Sequence, residues 1–279
     1  MQSFEHLITT RPHEVRQIII SDLHLSLDEP ALVQAFLALL EDCLVLPKLQ
    51  RLFILGDWFE VWLGDDFYLS LTADERHRHW LTPMITKLKQ LRVKGCEILV
   101  MHGNRDFLLD RGFLNVFGGE LISEPYPLNI GEQRFRLEHG DALCSDDKKY
   151  QFFRKIMRHP FTKWYLLNKS LEKRLTIADN IRNRSKQNNS TKAAYIMDVN
   201  EASVNEVLHG YDALLHGHTH RPEIHRSDEG KTRYVLGDWR VIDKESRQPK
   251  VSAVIGAVVV AENIEEAEFD LIEFRYLVR

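Results

Sequence analysis

The chain has 279 residues, 44% of them hydrophobic and 28% charged, with a net charge of −4; that composition fills one large core with a smaller appendage and argues against a disordered or low-complexity protein. Cys43, Cys96 and Cys144 are odd in number, widely spaced and free of any C-x-x-C pattern, which argues against a disulfide framework or a thiolate zinc site and suits a reducing cytoplasm. The charged N-terminus does not resemble a secretory signal, and the longest apolar run, 251–261, is too short to span a bilayer.

In chain order, the β-branched run 15–20 predicts a buried strand ending at SDLHL. A helix capped by Asp28 follows, with Pro30 in its first turn and Leu32, Phe36, Leu39, Leu40, Cys43 and Leu44 on one stripe. Residues 51–55 form the next strand, closing on GDWFEVWLGDD. A capping box of Thr72 and Glu75 opens a second helix that runs towards Lys94, bends or breaks at Pro83 and stops at Gly95. Residues 96–100 give a third strand, which delivers MHGNRD. Strands alternating with helices imply a parallel sheet with right-handed crossovers. From Leu121 the pattern changes to short strands, including 135–141, then a largely helical stretch over about 147–195. Next come a helix capped by Asp198, a strand at 212–215 and mostly β structure to the end, with 251–261 as a buried strand. The expectation is an α/β core forming a single domain over 1–279, interrupted by a helical cap at 147–195.

The strand exits carry one chemical type. Asp22 and His24 follow the first strand, Asp57 the second, Asn104 the third, His139 a later one, and His218 and His220 the strand at 212–215. Ligands of open α/β sheets gather at these carboxyl ends. Oxygen and imidazole donors without a thiolate suit Mn²⁺, Fe²⁺ or Zn²⁺ in a catalytic site. Seven donors exceed the needs of one ion, and two ions sharing a carboxylate are the arrangement used for in-line displacement at phosphorus. Asp22 and Asp57 offset two of the four positive charges such a pair brings, so the remaining field favours an anionic substrate.

The motifs DLH, GD, GNRD, HGD and GHTH, in this order and each at a predicted strand exit, resemble the calcineurin-like metallophosphoesterase superfamily. The resemblance implies a layered α/β/β/α sandwich. It also implies one ion on Asp22, His24 and His220, a second on Asn104, His139 and His218, and Asp57 as the bridge. His216 falls outside that pattern and is read as structural. Catalytic roles fall by the same resemblance to Asp57, Asn104, Arg105 and His139. Arg105 stands where most members have histidine; it replaces a neutral proton donor by a permanent cation, which favours a pyrophosphate substrate unless Asp106 or Asp110 pairs with it.

The longer set SDLHL, GDWFEVWLGDD, HGNRDFLL, HGDALCSDD, YQFFR, RSKQNNSTK, IMDVN and HGHTHRP, over about 16–240, is similar to the UDP-2,3-diacylglucosamine hydrolase family of Gram-negative lipid A biosynthesis. That similarity implies water attack on the α-phosphate of UDP-2,3-diacylglucosamine, giving UMP and 2,3-diacylglucosamine 1-phosphate, with two Mn²⁺ per chain. It implies substrate contacts from Asn104, Arg105, Asp147, Ser185, Asn189, Lys192 and His218. Other readings are another metallophosphoesterase, such as a nucleotide phosphodiesterase, protein phosphatase or nuclease, and a non-catalytic scaffold, which would be expected to have eroded ligands.

Residues 148–192 hold thirteen Lys and Arg against two acids, Glu172 and Asp179, which leaves the rest of the chain acidic. Apolar residues recur among them, including Phe152, Phe153, Ile156, Phe161, Trp164 and Tyr165. Such a segment either lies on an anionic membrane, here the cytoplasmic face of the inner membrane, or packs its apolar side on the core. Because the basic charge is confined to this one segment, no nucleic-acid partner is expected.

Overall fold

In the computed structural model, described over residues 1–189, 198–246, 248–261 and 266–278 and without side chains for 184–189, the chain opens with β1 (Gln2–Ser3) and α1 (Phe4–Thr10). The first α/β half follows: β2 (Val15–Ile20), α2 (Pro30–Val45), β3 (Arg51–Leu55), α3 (Asp66–Leu69), α4 (Ala73–Arg78), α5 (Thr82–Val93), β4 (Glu97–Met101), α6 (Arg111–Leu114) and β5 (Glu120–Leu121). The second half holds β6 (Tyr126–Ile130), β7 (Gln133–Leu137), α7 (Lys148–Arg158), α8 (Pro160–Leu167), α9 (Leu171–Asn189), α10 (Glu201–Val207), β8 (Ala213–His216), β9 (Glu223–Arg226), β10 (Thr232–Val235), β11 (Arg240–Ile242), β12 (Lys250–Val260) and β13 (Ala267–Leu277).

Two sheets result. The first runs β1-β13-β12-β2-β3-β4-β5, with β11 beside β12, and its β2, β3 and β4 are parallel as expected. The second runs β6-β7-β8-β10-β9, with β7, β8 and β10 mutually parallel. Successive side chains of a strand point to opposite faces. Ile18 and Ile20 therefore meet Phe36, Leu39, Leu40 and Leu88 on the helical side. Ile19, with Phe53, Leu55 and Met101, meets Phe135, Leu137 and Leu215 of the second sheet. Val204 and Leu208 of α10 cover Leu214 on the far side. The order of layers is helix, sheet, sheet, helix. Burial on both faces is why β2, β3 and β4 read as continuous apolar runs.

Three local expectations need correction. Helix α2 takes Glu29 as its cap with no side-chain bond, so Asp28 does not cap it. The capping box of Thr72 and Glu75 forms, but its helix ends at Arg78. Pro83 opens α5 instead, in the first turn where its missing N–H costs nothing. Asn200, whose side chain accepts from the Ser203 N–H, caps α10 in place of Asp198.

Candidate metal centre

The exits of β2, β3 and β4 from one sheet meet those of β7 and β8 from the other. The Asp22 N–H donates to Gly56 O at 3.2 Å and the His24 N–H to Asp57 O at 3.0 Å, which ties the first two exits together. Five of the seven candidate donors adopt left-handed backbone: Asp22 (φ 56°), His24 (49°), Asp57 (49°), His218 (66°) and His220 (57°). Such conformations cost about 1–3 kcal/mol each and persist where the surroundings over-determine them, as functional sites do. Gly103 and Gly217 are required for space: a Cβ at Gly103 would overlap Asp57 Oδ1, and one at Gly217 would overlap Asp22 Oδ2 and Ser21 Oγ.

Two groups of donors converge. Asp22, His24 and His220 offer atoms that all lie within 4.8 Å of one another, and so do Asp22, Asp57 and His139. In the first, His220 Nε2 is 3.3 Å from Asp22 Oδ1 and 3.4 Å from His24 Nε2. Asp57 turns Oδ2 towards His24 Nε2 at 4.0 Å and Oδ1 towards His139 Nε2 at 3.8 Å, so its two oxygens face both groups. Asn104 Oδ1 lies 3.1 Å from His139 Nε2. The His218 ring meets His139 edge-on at 5.1 Å between centroids and stacks on Tyr150. Asp22 is thus common to both groups, whereas Asp57 belongs to the second and faces the first through His24. His216 is buried outside them, with Nδ1 2.8 Å from Gly217 O.

The donor set fits divalent ions. Asp22 Oδ2 accepts from Ser21 Oγ and the His218 N–H, but among the described residues Asp22 Oδ1 is buried without a hydrogen-bond partner. The His139 Nδ1–H donates to Leu55 O at 2.9 Å, which leaves Nε2 as the free donor atom. Burial opposes charge on His139, yet Asp57, Asp22, Asp141 and Glu124 together push its imidazole up to about 9. Burial would raise Asp22, but His220, His139 and His24 hold its carboxyl well below the usual range. Burial and the neighbouring His139 push His218 down to about 4. The carboxylates that favour a proton on the buried His139 ring favour a cation at the same place.

A cavity of about 760 Å³ opens beside these groups, lined by His24, Asp57, Asn104, Arg105, Asp147, His218 and His220 on one side and by residues of α7 and α9 on the other. Arg105 lies in it but is paired neither with Asp106 nor with Asp110; its Nη1 donates to Glu60 Oε1 at 3.2 Å. Asp147 lines the cavity and also caps α7 by accepting from the Tyr150 N–H at 3.0 Å. Ser185 and Asn189 fall in the last turns of α9, their side chains outside the described set, and Lys192 lies outside the described residues.

Sequence reasoning missed a cluster that seats α7 on the core. Asp141, fully buried, accepts from the Tyr150 O–H at 2.7 Å, Arg154 Nε at 2.8 Å and Arg158 Nη2 at 3.2 Å. Glu124 accepts from Arg154, Arg158 and the His139 N–H. Burial would raise Asp141, but Arg158, His139 and Arg154 hold it far below the ordinary carboxylate range. At the other end of the cavity Arg174 of α9 is buried on Leu63 O and Asp66. The only signal available beforehand was Asp141 in HGD; Glu124 carried none.

The family model described as calcineurin-like phosphoesterase matches residues 15–222. A protein of Shewanella piezotolerans named UDP-2,3-diacylglucosamine hydrolase is 41% identical over 81% of this chain and 90% of its own. One of the same name from Tolumonas auensis is 38% identical over 80% of this chain and 89% of its own. Among solved structures, a dimetal phosphatase from Danio rerio aligns over 92% of this chain and 98% of its own, with a TM-score of 0.44 and 14% identity. The chain belongs to the calcineurin-like phosphoesterase family, among relatives named UDP-2,3-diacylglucosamine hydrolase.

Proposed function

We propose that the chain hydrolyses the pyrophosphate bond of UDP-2,3-diacylglucosamine, releasing UMP and 2,3-diacylglucosamine 1-phosphate in lipid A biosynthesis. The observation that carries this reading is the composition of one cavity. Its polar end holds the metal-binding groups and Arg105, while its walls continue into Trp62, Leu63, Phe107, Phe153, Met157 and Ile177. Nucleobases could stack on its aromatic rings, but acyl chains bury the aliphatic Leu63, Met157 and Ile177 as well.

Asp22, His24 and His220 would hold one Mn²⁺, Asn104, His139 and His218 the other, and Asp57 would lie between them; Asp22 stands close enough to serve both. When bound, the ions would offset phosphate charge and supply an activated water. Asn104 and Arg105 would grip the phosphates, Arg105 through the planar fork of its guanidinium group. Asp147, Ser185, Asn189, Lys192 and His218 would complete the substrate contacts. Residues 147–195 form, on this reading, a cap within one domain spanning 1–279. The cap meets the cytoplasmic face of the inner membrane, from which a diacylated substrate must be drawn.

The test is UMP release from UDP-2,3-diacylglucosamine, with Mn²⁺ and after chelation, beside Asp57→Ala. Release that needs Mn²⁺ and drops at least about a hundredfold in Asp57→Ala is expected. Comparable turnover of a soluble nucleotide diester or of single-stranded DNA would replace the lipid reading.

A further inference from the structure

Glu60, five residues beyond β3, is absent from every donor set considered above, yet its one carboxylate meets three separate parts of the molecule. Oε2 lies 3.3 Å from His24 Nδ1. Oε1 accepts from Arg105 Nη1 at 3.2 Å and faces Arg182 Nη1, on α9, at 3.6 Å. Among the described residues His24 Nδ1 is buried and makes no hydrogen bond, the Glu60 carboxylate being the charged group set against it, while Nε2 of the same ring points at Asp57 and His220. A carboxylate on one ring nitrogen holds the proton there and leaves the lone pair on the other, besides fixing the plane of the ring.

We propose that Glu60 is a positioning residue: it orients the imidazole of His24 towards the divalent ion and, with the same carboxylate, stations Arg105 and Arg182 in the lining of the cavity. This rests on reading the centre as a divalent-metal site. No substrate contact is required of Glu60. The side chain is about one-fifth exposed, so it is shielded enough to act on the ring and reachable enough to release the two guanidinium groups.

The test compares full-length wild type with Glu60→Gln by Mn²⁺ titration calorimetry and by Mn²⁺ activation of UMP release. Mn²⁺ affinity is expected to fall about tenfold or more, as it does when a ligand's outer partner is lost. The Mn²⁺ concentration for half activation should shift equally, with kcat recovering at saturating Mn²⁺, a rescue that damaged packing would not show. Should Gln lower the metal-free melting temperature, Glu60→Asp, which keeps the charge but withdraws it by one methylene, carries the same expectation. Wild-type Mn²⁺ affinity in these variants overturns the proposal while leaving the hydrolase reading intact. Weakened Mn²⁺ binding in the variants, with no UMP release by wild type, upholds the proposal and overturns that reading. Absence of Mn²⁺ binding by wild type overturns both.

Discussion

At the scale of single residues, the centre is held by a backbone that few side chains tolerate and by two glycines that admit its carboxylates. Asn, Asp and His enter left-handed conformation more readily than other side chains, and the five donors that adopt it are all Asp or His. The ligand types therefore suit the backbone as well as any ion. Gly103 is needed for a different reason, since its side-chain position is already filled by Asp57 Oδ1 and the Asp57 N–H. Gly103→Ala must push Asp57 away from His24 and His139. We expect Mn²⁺ affinity, read by calorimetry, to drop by about tenfold or more, with an unchanged far-UV circular dichroism spectrum. Unaltered Mn²⁺ binding would mean that Asp57 is not held where its two oxygens face both groups.

At the scale of elements, α2 carries a strain that pH can reveal. Asp42 lies in its last turn, where carboxylates oppose the helix dipole and where the helix has no basic residue. Burial, then Glu41 and Glu5, push its carboxyl up to about 6. Because the folded pKa exceeds the unfolded one, the folded chain binds the proton more tightly. Stability is complete below the unfolded value, near 3.9, and is lost as pH climbs through about 6. Asp42→Asn removes that loss. After allowance for solvent screening it should stabilise the protein by about 1 kcal/mol at pH 7.5 and by almost nothing at pH 3.5, measured by urea unfolding. An equal gain at both pH values would assign the effect to packing. The elements that sequence reasoning found are those whose pattern is internal to the segment: the runs of β2, β3, β4 and β12, the stripe of α2 and the capping box of α4. Those it misplaced were decided by neighbours. Asp198 and Asn200 differ little as cap candidates in isolation, and Asn200 caps α10 because it stands where the chain turns into the helix and can accept from the Ser203 N–H. The two-residue strand β1 exists because β13 is there to pair with it. The site divides the same way. The seven candidate donors could be named because each follows a strand, and the fold gathers five of them into two groups; Glu60, Glu124 and Asp141 instead meet partners distant in sequence, such as Arg182 and Arg158.

For the whole molecule, the distribution of charge and apolar surface gives the protein a direction. The cavity lies between the core and α7–α9. On the outer side of those helices Phe152, Phe161, Trp164 and Tyr165 are among the exposed large hydrophobic residues, and Lys148, Lys155, Lys169 and Lys173 belong to the same segment. Elsewhere the chain is acidic, so on the proposed reading an anionic bilayer would attract this face and repel the others. No helix among the described residues is long and apolar enough to cross a membrane, so any attachment made by this segment would lie along the surface. Arg154 and Arg158 at one end and Arg174 at the other pin α7 and α9 to the core, which fits a cap that docks as a unit and brings the cavity to the lipid. Each Lys near an anionic surface contributes about 1 kcal/mol. Replacing Lys148, Lys155, Lys169 and Lys173 by Gln should therefore weaken sedimentation with phosphatidylglycerol vesicles by on the order of a hundredfold or more. Phe161→Ser with Trp164→Ser should weaken it further and leave less dependence on acyl packing. Wild-type binding should fall steeply as salt rises and be slight on phosphatidylcholine alone. If instead all these proteins cosediment equally, the exposed aromatic face of α7 and α8 serves some other purpose, and the substrate must reach the cavity by leaving the bilayer unaided.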